Sequence, residues 1–70
     1  MKITIGIPAY NEESHIAGII TKLKKITDSI IVCDDGSSDM TADISRNLGA
    51  IVIKHDKNRG YGAAINTIFQ

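Results

Sequence analysis

Ile30-Ile31-Val32-Cys33-Asp34-Asp35-Gly36-Ser37-Ser38-Asp39 is the stretch whose reading decides the architecture of this chain. Four apolar residues run directly into two adjacent carboxylates, then glycine and serine. A short apolar run cut off by turn residues is the pattern of a strand buried in a parallel sheet. The strand is expected over Ser29 to Asp34, with Ser38 or Asp39 capping the helix that follows. Open α/β sheets collect their ligands just beyond the carboxyl ends of such strands. Adjacent acids at the edge of a core are costly to desolvate. A polar ligand is therefore the expected reason for Asp34-Asp35.

Upstream, Ile3-Thr4-Ile5-Gly6-Ile7 alternates and is rich in β-branched residues, so it reads as the first strand. Pro8 is expected to end it. Asn11 reads as a helix N-cap, with Glu12 and Glu13 in a first turn where the helix dipole favours anions. Ile16, Ile19, Ile20, Leu23 and Ile26 follow helical spacing and predict one apolar stripe. Gly18 reads as a point of close packing on the sheet. Downstream, a second helix carries Ala42, Ile44 and Leu48 inward, and Gly49 suits the left-handed position that closes a helix. Ala50 to Ile53 is expected as a third strand and His55 to Gly60 as a polar loop. Gly62 to Phe69 reads as the start of a third helix. The order β-α-β-α-β-α with short connections predicts an α/β fold: a Rossmann-like parallel sheet with right-handed crossovers.

Bulk properties narrow the function. Seventy residues make at most one small domain, and eight basic residues balance eight acidic ones. Without a basic excess, nucleic acid is not an expected partner. Two tyrosines and one phenylalanine provide no stacking platform for single strands. One cysteine gives neither a disulfide framework nor metal-finger spacing. Cys33 reads as a small buried hydrophobe. His55 has no neighbour at ligand spacing in the sequence. The chain enters an apolar strand at once, and no apolar run approaches the roughly 20 residues that span a bilayer. A cytoplasmic location is the expectation.

All strands of a parallel sheet point the same way, so three polar clusters should share one rim. They are Pro8-Ala9-Tyr10-Asn11-Glu12, Asp34-Asp35-Gly36-Ser37 and His55-Asp56-Lys57-Asn58-Arg59-Gly60. Their chemistry suits a nucleotide. Tyr10 can stack on a base or ribose. Asp34 or Asp35 can accept from a base N–H or a ribose hydroxyl, and Glu12 can do the same for the sugar. Lys57 and Arg59 can approach a base carbonyl or a phosphate. Gly36 and Gly60 let the backbone come close. A few converging polar groups on an apolar scaffold is the usual form of a small-molecule site. Gly60-Tyr61-Gly62-Ala63-Ala64-Ile65 imitates a dinucleotide fingerprint, but it follows the third strand and ends in isoleucine.

Three stretches together resemble the family 2 glycosyltransferases. They are Ile7-Pro8-Ala9-Tyr10-Asn11-Glu12-Glu13, Val32-Cys33-Asp34-Asp35-Gly36-Ser37-Ser38-Asp39-Met40-Thr41 and Lys57-Asn58-Arg59-Gly60-Tyr61-Gly62-Ala63-Ala64-Ile65-Asn66. The last run is most similar to the polyprenyl-phosphate (dolichol-phosphate-type) mannosyl- and glucosyltransferases. The resemblance implies the N-terminal part of a GT-A fold with strand order 3-2-1. It also implies a GDP- or UDP-sugar donor, transfer with inversion, and a lipid phosphate as a candidate acceptor. By the same resemblance Pro8, Tyr10 and Glu12 line the nucleotide. Cys33, Asp34 and Asp35 meet base and ribose, and Arg59 and Gly60 lie near the base.

Such enzymes use a divalent metal, Mg or Mn, held by a later D-x-D motif, and a later acidic base. This chain contains no D-x-D. Residues 1–70 are therefore read as one partial domain, the nucleotide-sugar-binding half of a longer catalytic domain. That half should be inactive alone and, in the full-length enzyme, could sit at the cytoplasmic face of a membrane. The alternative is a stand-alone nucleotide-binding or oligomerising module without catalysis. With the fourth strand missing, strand 1 should present an open apolar edge and favour a homo-oligomer.

Overall fold

The computed structural model describes residues 3–57 and 60. Five elements follow in order: β1 Thr4–Ala9, α1 Ile16–Leu23, β2 Ser29–Asp34, α2 Thr41–Asn47 and β3 Ile51–Lys54. The third helix expected over Gly62 to Phe69 lies outside the described residues. The strands form one parallel sheet in the order β1-β2-β3, which is the 3-2-1 order read from the other edge. Register pairs Ala9 with Asp34 and Asp34 with Lys54, so all three strands end at one level.

Paired residues in a parallel sheet share a face. One face therefore carries Ile7, Ala9, Ile30, Val32 and Val52. Both helices pack against it. Ile16 and Ile20 of α1 are fully buried there, and Leu23, Ile44 and Leu48 are partly buried. Fully burying an isoleucine contributes about 1.5–3 kcal/mol, so these few side chains dominate the stability of so small a core. The opposite face carries Gly6, Ile31, Ile51 and Ile53, and Ile51 there is 62% exposed.

β2 has the predicted limits. β1 does not stop at Pro8 but runs on to Ala9, with Pro8 paired to Cys33. The reason lies in the direction of the hydrogen bonds. The Asp35 N–H donates to the Ala9 carbonyl at 2.8 Å, so Ala9 faces β2. Alternate residues of a strand bond to opposite sides, so Pro8 turns its missing N–H toward the unpaired edge, where proline is tolerated.

α1 departs further from expectation. Asn11 is not its N-cap. Asn11 adopts a left-handed backbone, φ +50°, and the helix begins at Ile16. An N-cap occupies the extended region, whereas asparagine tolerates the left-handed one. Glu12 and Glu13 consequently precede the helix instead of forming its first turn. The stripe is also shorter than its spacing suggested. Ile26 lies beyond the helix end and is 63% exposed. Gly18 does not pack on the sheet, because a Cβ there would meet nothing within 4 Å. Gly49 closes α2 at φ +92° as expected.

Candidate functional site

The rim is assembled from backbone outward. The Asp35 N–H bonds the Ala9 carbonyl at 2.8 Å and the His55 N–H bonds the Asp34 carbonyl at 2.9 Å. These two bonds extend the sheet by one residue past the strand ends. They seat Asp35 between the loop after β1 and the loop after β3.

The first two loops are laced by side chains. The Asn11 N–H donates to Ser37 Oγ at 2.8 Å, and Asn11 Oδ1 accepts from the Ser38 N–H at 3.0 Å. The Glu12 N–H donates to Thr41 Oγ1 at 2.9 Å. Glu13 Oε2 accepts from the Met40 N–H at 3.0 Å, beside the start of α2. Asn11 thus serves the second loop instead of its own helix. The motif residues after β1 and those after β2 act as one unit.

Asp39 caps α2 from just outside it. Its Oδ1 accepts from the Thr41 N–H at 2.9 Å and from the Thr41 hydroxyl, and its Oδ2 accepts from the Glu13 N–H at 3.2 Å. Desolvation raises the carboxyl, but these bonds from Thr41 and Glu13 outweigh it and hold Asp39 below its ordinary 3.8. A carboxyl lowered in the folded state lends stability that is complete above its unfolded value and is lost as pH falls through the folded one. Acidification below about pH 3.8 is therefore expected to weaken the lacing of the first two loops. Urea midpoints measured across that range should fall, and Asp39→Asn should flatten the fall. An unchanged acid limb in Asp39→Asn would refute the assignment.

The two adjacent acids differ in role. Asp34 is fully buried; its Oδ1 accepts from the Ser37 N–H at 3.0 Å and shapes the turn at Gly36, φ +78°. Among the described residues its Oδ2 has no hydrogen-bond partner, and Lys54 Nζ lies 4.0 Å away. Asp35 is tied at both oxygens. Oδ1 lies 2.8 Å from His55 Nδ1, and Oδ2 accepts from the Gly60 N–H at 2.8 Å. His55 is itself buried, with Nε2 3.8 Å from the buried Cys33 Sγ.

The structure thus brings Pro8, Tyr10, Glu12, Cys33, Asp34, Asp35 and Gly60 to one rim. Tyr10 follows β1 directly and is 48% exposed, as a stacking surface requires. Arg59 lies outside the described residues. His55 is the residue that sequence reasoning undervalued. The expected third strand ended at Ile53, but β3 runs from Ile51 to Lys54, which makes His55 the first residue beyond it and the neighbour of Asp35. Among the described residues no group of three or more histidine, cysteine or acidic side chains could hold a metal ion.

Residues 4–70 match the profile "Glycosyl transferase family 2". The chain belongs to this family. Among its family 2 relatives is a dolichyl-phosphate hexose transferase of Haloferax volcanii, 38% identical over 65 residues, covering 90% of this chain and 28% of the relative. Another is a UDP-N-acetylglucosamine–dolichyl-phosphate N-acetylglucosaminyltransferase of Methanococcus voltae, 37% identical over 83 residues, covering 93% and 33%. The fold matches glucosyl-3-phosphoglycerate synthase of Mycobacterium tuberculosis, solved with Mn2+, UDP-glucose and phosphoglyceric acid. The TM-score is 0.80 with 29% identity, over 91% of this chain and 27% of that one. The fold is thus the N-terminal part of the GT-A fold. The chain spans between about a quarter and a third of the length of these proteins.

Proposed function

We propose that this chain supplies the nucleotide-diphosphate-sugar-binding part of a glycosyltransferase. The observation that carries the reading is the convergence of three strand ends on Asp35, through Ala9, His55 and Gly60. In this reading the Asp35 carboxylate accepts from the base or ribose, Tyr10 stacks on the nucleoside, and Glu12 faces the sugar. Pro8 and Cys33 shape the floor. Arg59 is assigned, by family resemblance alone, to contact the base or a phosphate.

Residues 1–70 form one partial domain, and the reacting groups lie elsewhere in the catalytic unit. Transfer proceeds with inversion onto an acceptor hydroxyl or phosphate. Similarity to two dolichyl-phosphate transferases supports a lipid phosphate as acceptor, met at a membrane surface. No helix among the described residues is long and apolar enough to cross a membrane. A divalent metal bound to the donor would offset the charge of the leaving diphosphate.

The test is titration of the 70-residue chain with UDP and with GDP, followed by amide NMR. Shifts confined to Tyr10, Asp35, Gly36 and Gly60 are expected, with weak affinity and no turnover of either nucleotide-sugar. Shifts elsewhere, or none at millimolar nucleotide, would overturn the binding reading. Turnover would overturn the partial-domain reading. Among the described residues β1 has no partner on its outer side, which supports self-association. Light scattering on the same samples should give a mass above one chain; a monomer at high concentration rejects that part.

A further inference from the structure

Resting on the reading of Asp35 as the nucleoside's acceptor, we propose that His55 is its positioning residue and that one tautomer of the imidazole performs this role. An ionised carboxylate can only accept. The 2.8 Å contact between Asp35 Oδ1 and His55 Nδ1 therefore requires the ring hydrogen on Nδ1. Nε2 then offers a lone pair to the Cys33 thiol, 3.8 Å away, whose S–H is the matching donor. Cys33, His55 and Asp35 form a buried row with each hydrogen directed toward the rim: thiol to Nε2, then Nδ1 to carboxylate. The far oxygen of Asp35 is held by the Gly60 N–H at 2.8 Å. With both oxygens tethered, the plane of the carboxylate is set before a nucleoside arrives. A preoriented acceptor binds more tightly because less freedom is lost on association.

This arrangement explains why a histidine stands at the end of β3. It also gives Cys33 a task beyond filling space. Its side chain lies on the sheet face away from the helices, yet it is fully buried, with the imidazole beside it.

The side-chain geometry of two amides supplies the test. In His55→Asn the amide nitrogen falls where Nδ1 lies and can donate to Asp35. In His55→Gln it falls near Nε2 and cannot. Titration with UDP and GDP should give His55→Asn an affinity within a few-fold of the parent chain. His55→Gln and His55→Ala should lose about tenfold, the scale of one hydrogen bond to a charged group. Thermal midpoints of all three variants separate binding from folding. Long-range proton–nitrogen NMR of the ring should show hydrogen on Nδ1. Equal affinities for His55→Asn and His55→Gln, or hydrogen on Nε2 alone, would overturn the inference. If the parent chain binds neither nucleotide, the functional reading fails while this one is still decided. The Gly60 amide resonance reports where Asp35 sits. It should keep the parent position in His55→Asn and move in His55→Ala, and the same shift in both would reject His55.

Discussion

Asp35→Asn is expected to be nearly as damaging as Asp35→Ala, with nucleotide affinity falling at least about tenfold in each. An amide is the mildest change of shape, so this result would be informative. Asp35 accepts at both oxygens, from the His55 ring and from the Gly60 N–H. An amide places an NH2 group against one of those donors. One of these contacts must then break, or the imidazole must move its hydrogen to Nε2 to accept from the amide, and losing a hydrogen bond to a charged group costs about 1.5–3 kcal/mol. In the proposed reading the nucleoside loses its charged acceptor as well. Isothermal titration with UDP and GDP would measure affinity, and urea denaturation would measure the stability loss. Asp35→Asn with parental affinity would show that the charge and double acceptance are not used by the ligand.

Ile20→Ala should cost about 2–5 kcal/mol. Ile20 is fully buried in the apolar layer between α1 and the sheet. A 70-residue chain at the usual 0.05–0.15 kcal/mol per residue has only roughly 3.5–10 kcal/mol in total. The variant is therefore expected to lose between about a fifth and all of its stability and to populate the unfolded state at a lower temperature than the parent chain. Ile19→Ala provides the comparison. It removes the same atoms one position earlier, from a side chain 40% exposed, and should cost under about 1 kcal/mol. Similar urea midpoints for the two variants would refute the assigned face of α1.

The sheet was legible because β2 is apolar throughout and its end is marked by two acids. Strand order followed from the resemblance, and the shared rim followed from parallel direction alone. What could not be read was how polar side chains reach across loops. Asn11 has the identity of a cap, and only tertiary structure reveals that Ser37 and Ser38 claim it first. Asp34 and Asp35 suggested a ligand because no partner was visible nearby in sequence. Part of their acceptor capacity is used by Ser37, His55 and Gly60, the last two 20 and 25 residues from Asp35. Such long-range pairs leave no periodicity. His55 was undervalued for the same reason, although register between β2 and β3 brings it to Asp35.

Pro8 limits what can attach to the molecule. On the outer side of β1 the outward-facing residues are Thr4, Gly6 and Pro8, and only the first two carry an N–H. An added strand could zip along the lower half of β1 but would lose its grip one step below Ala9. Edge-to-edge pairing, where it occurs, would thus lack a donor just below the loop that carries Tyr10.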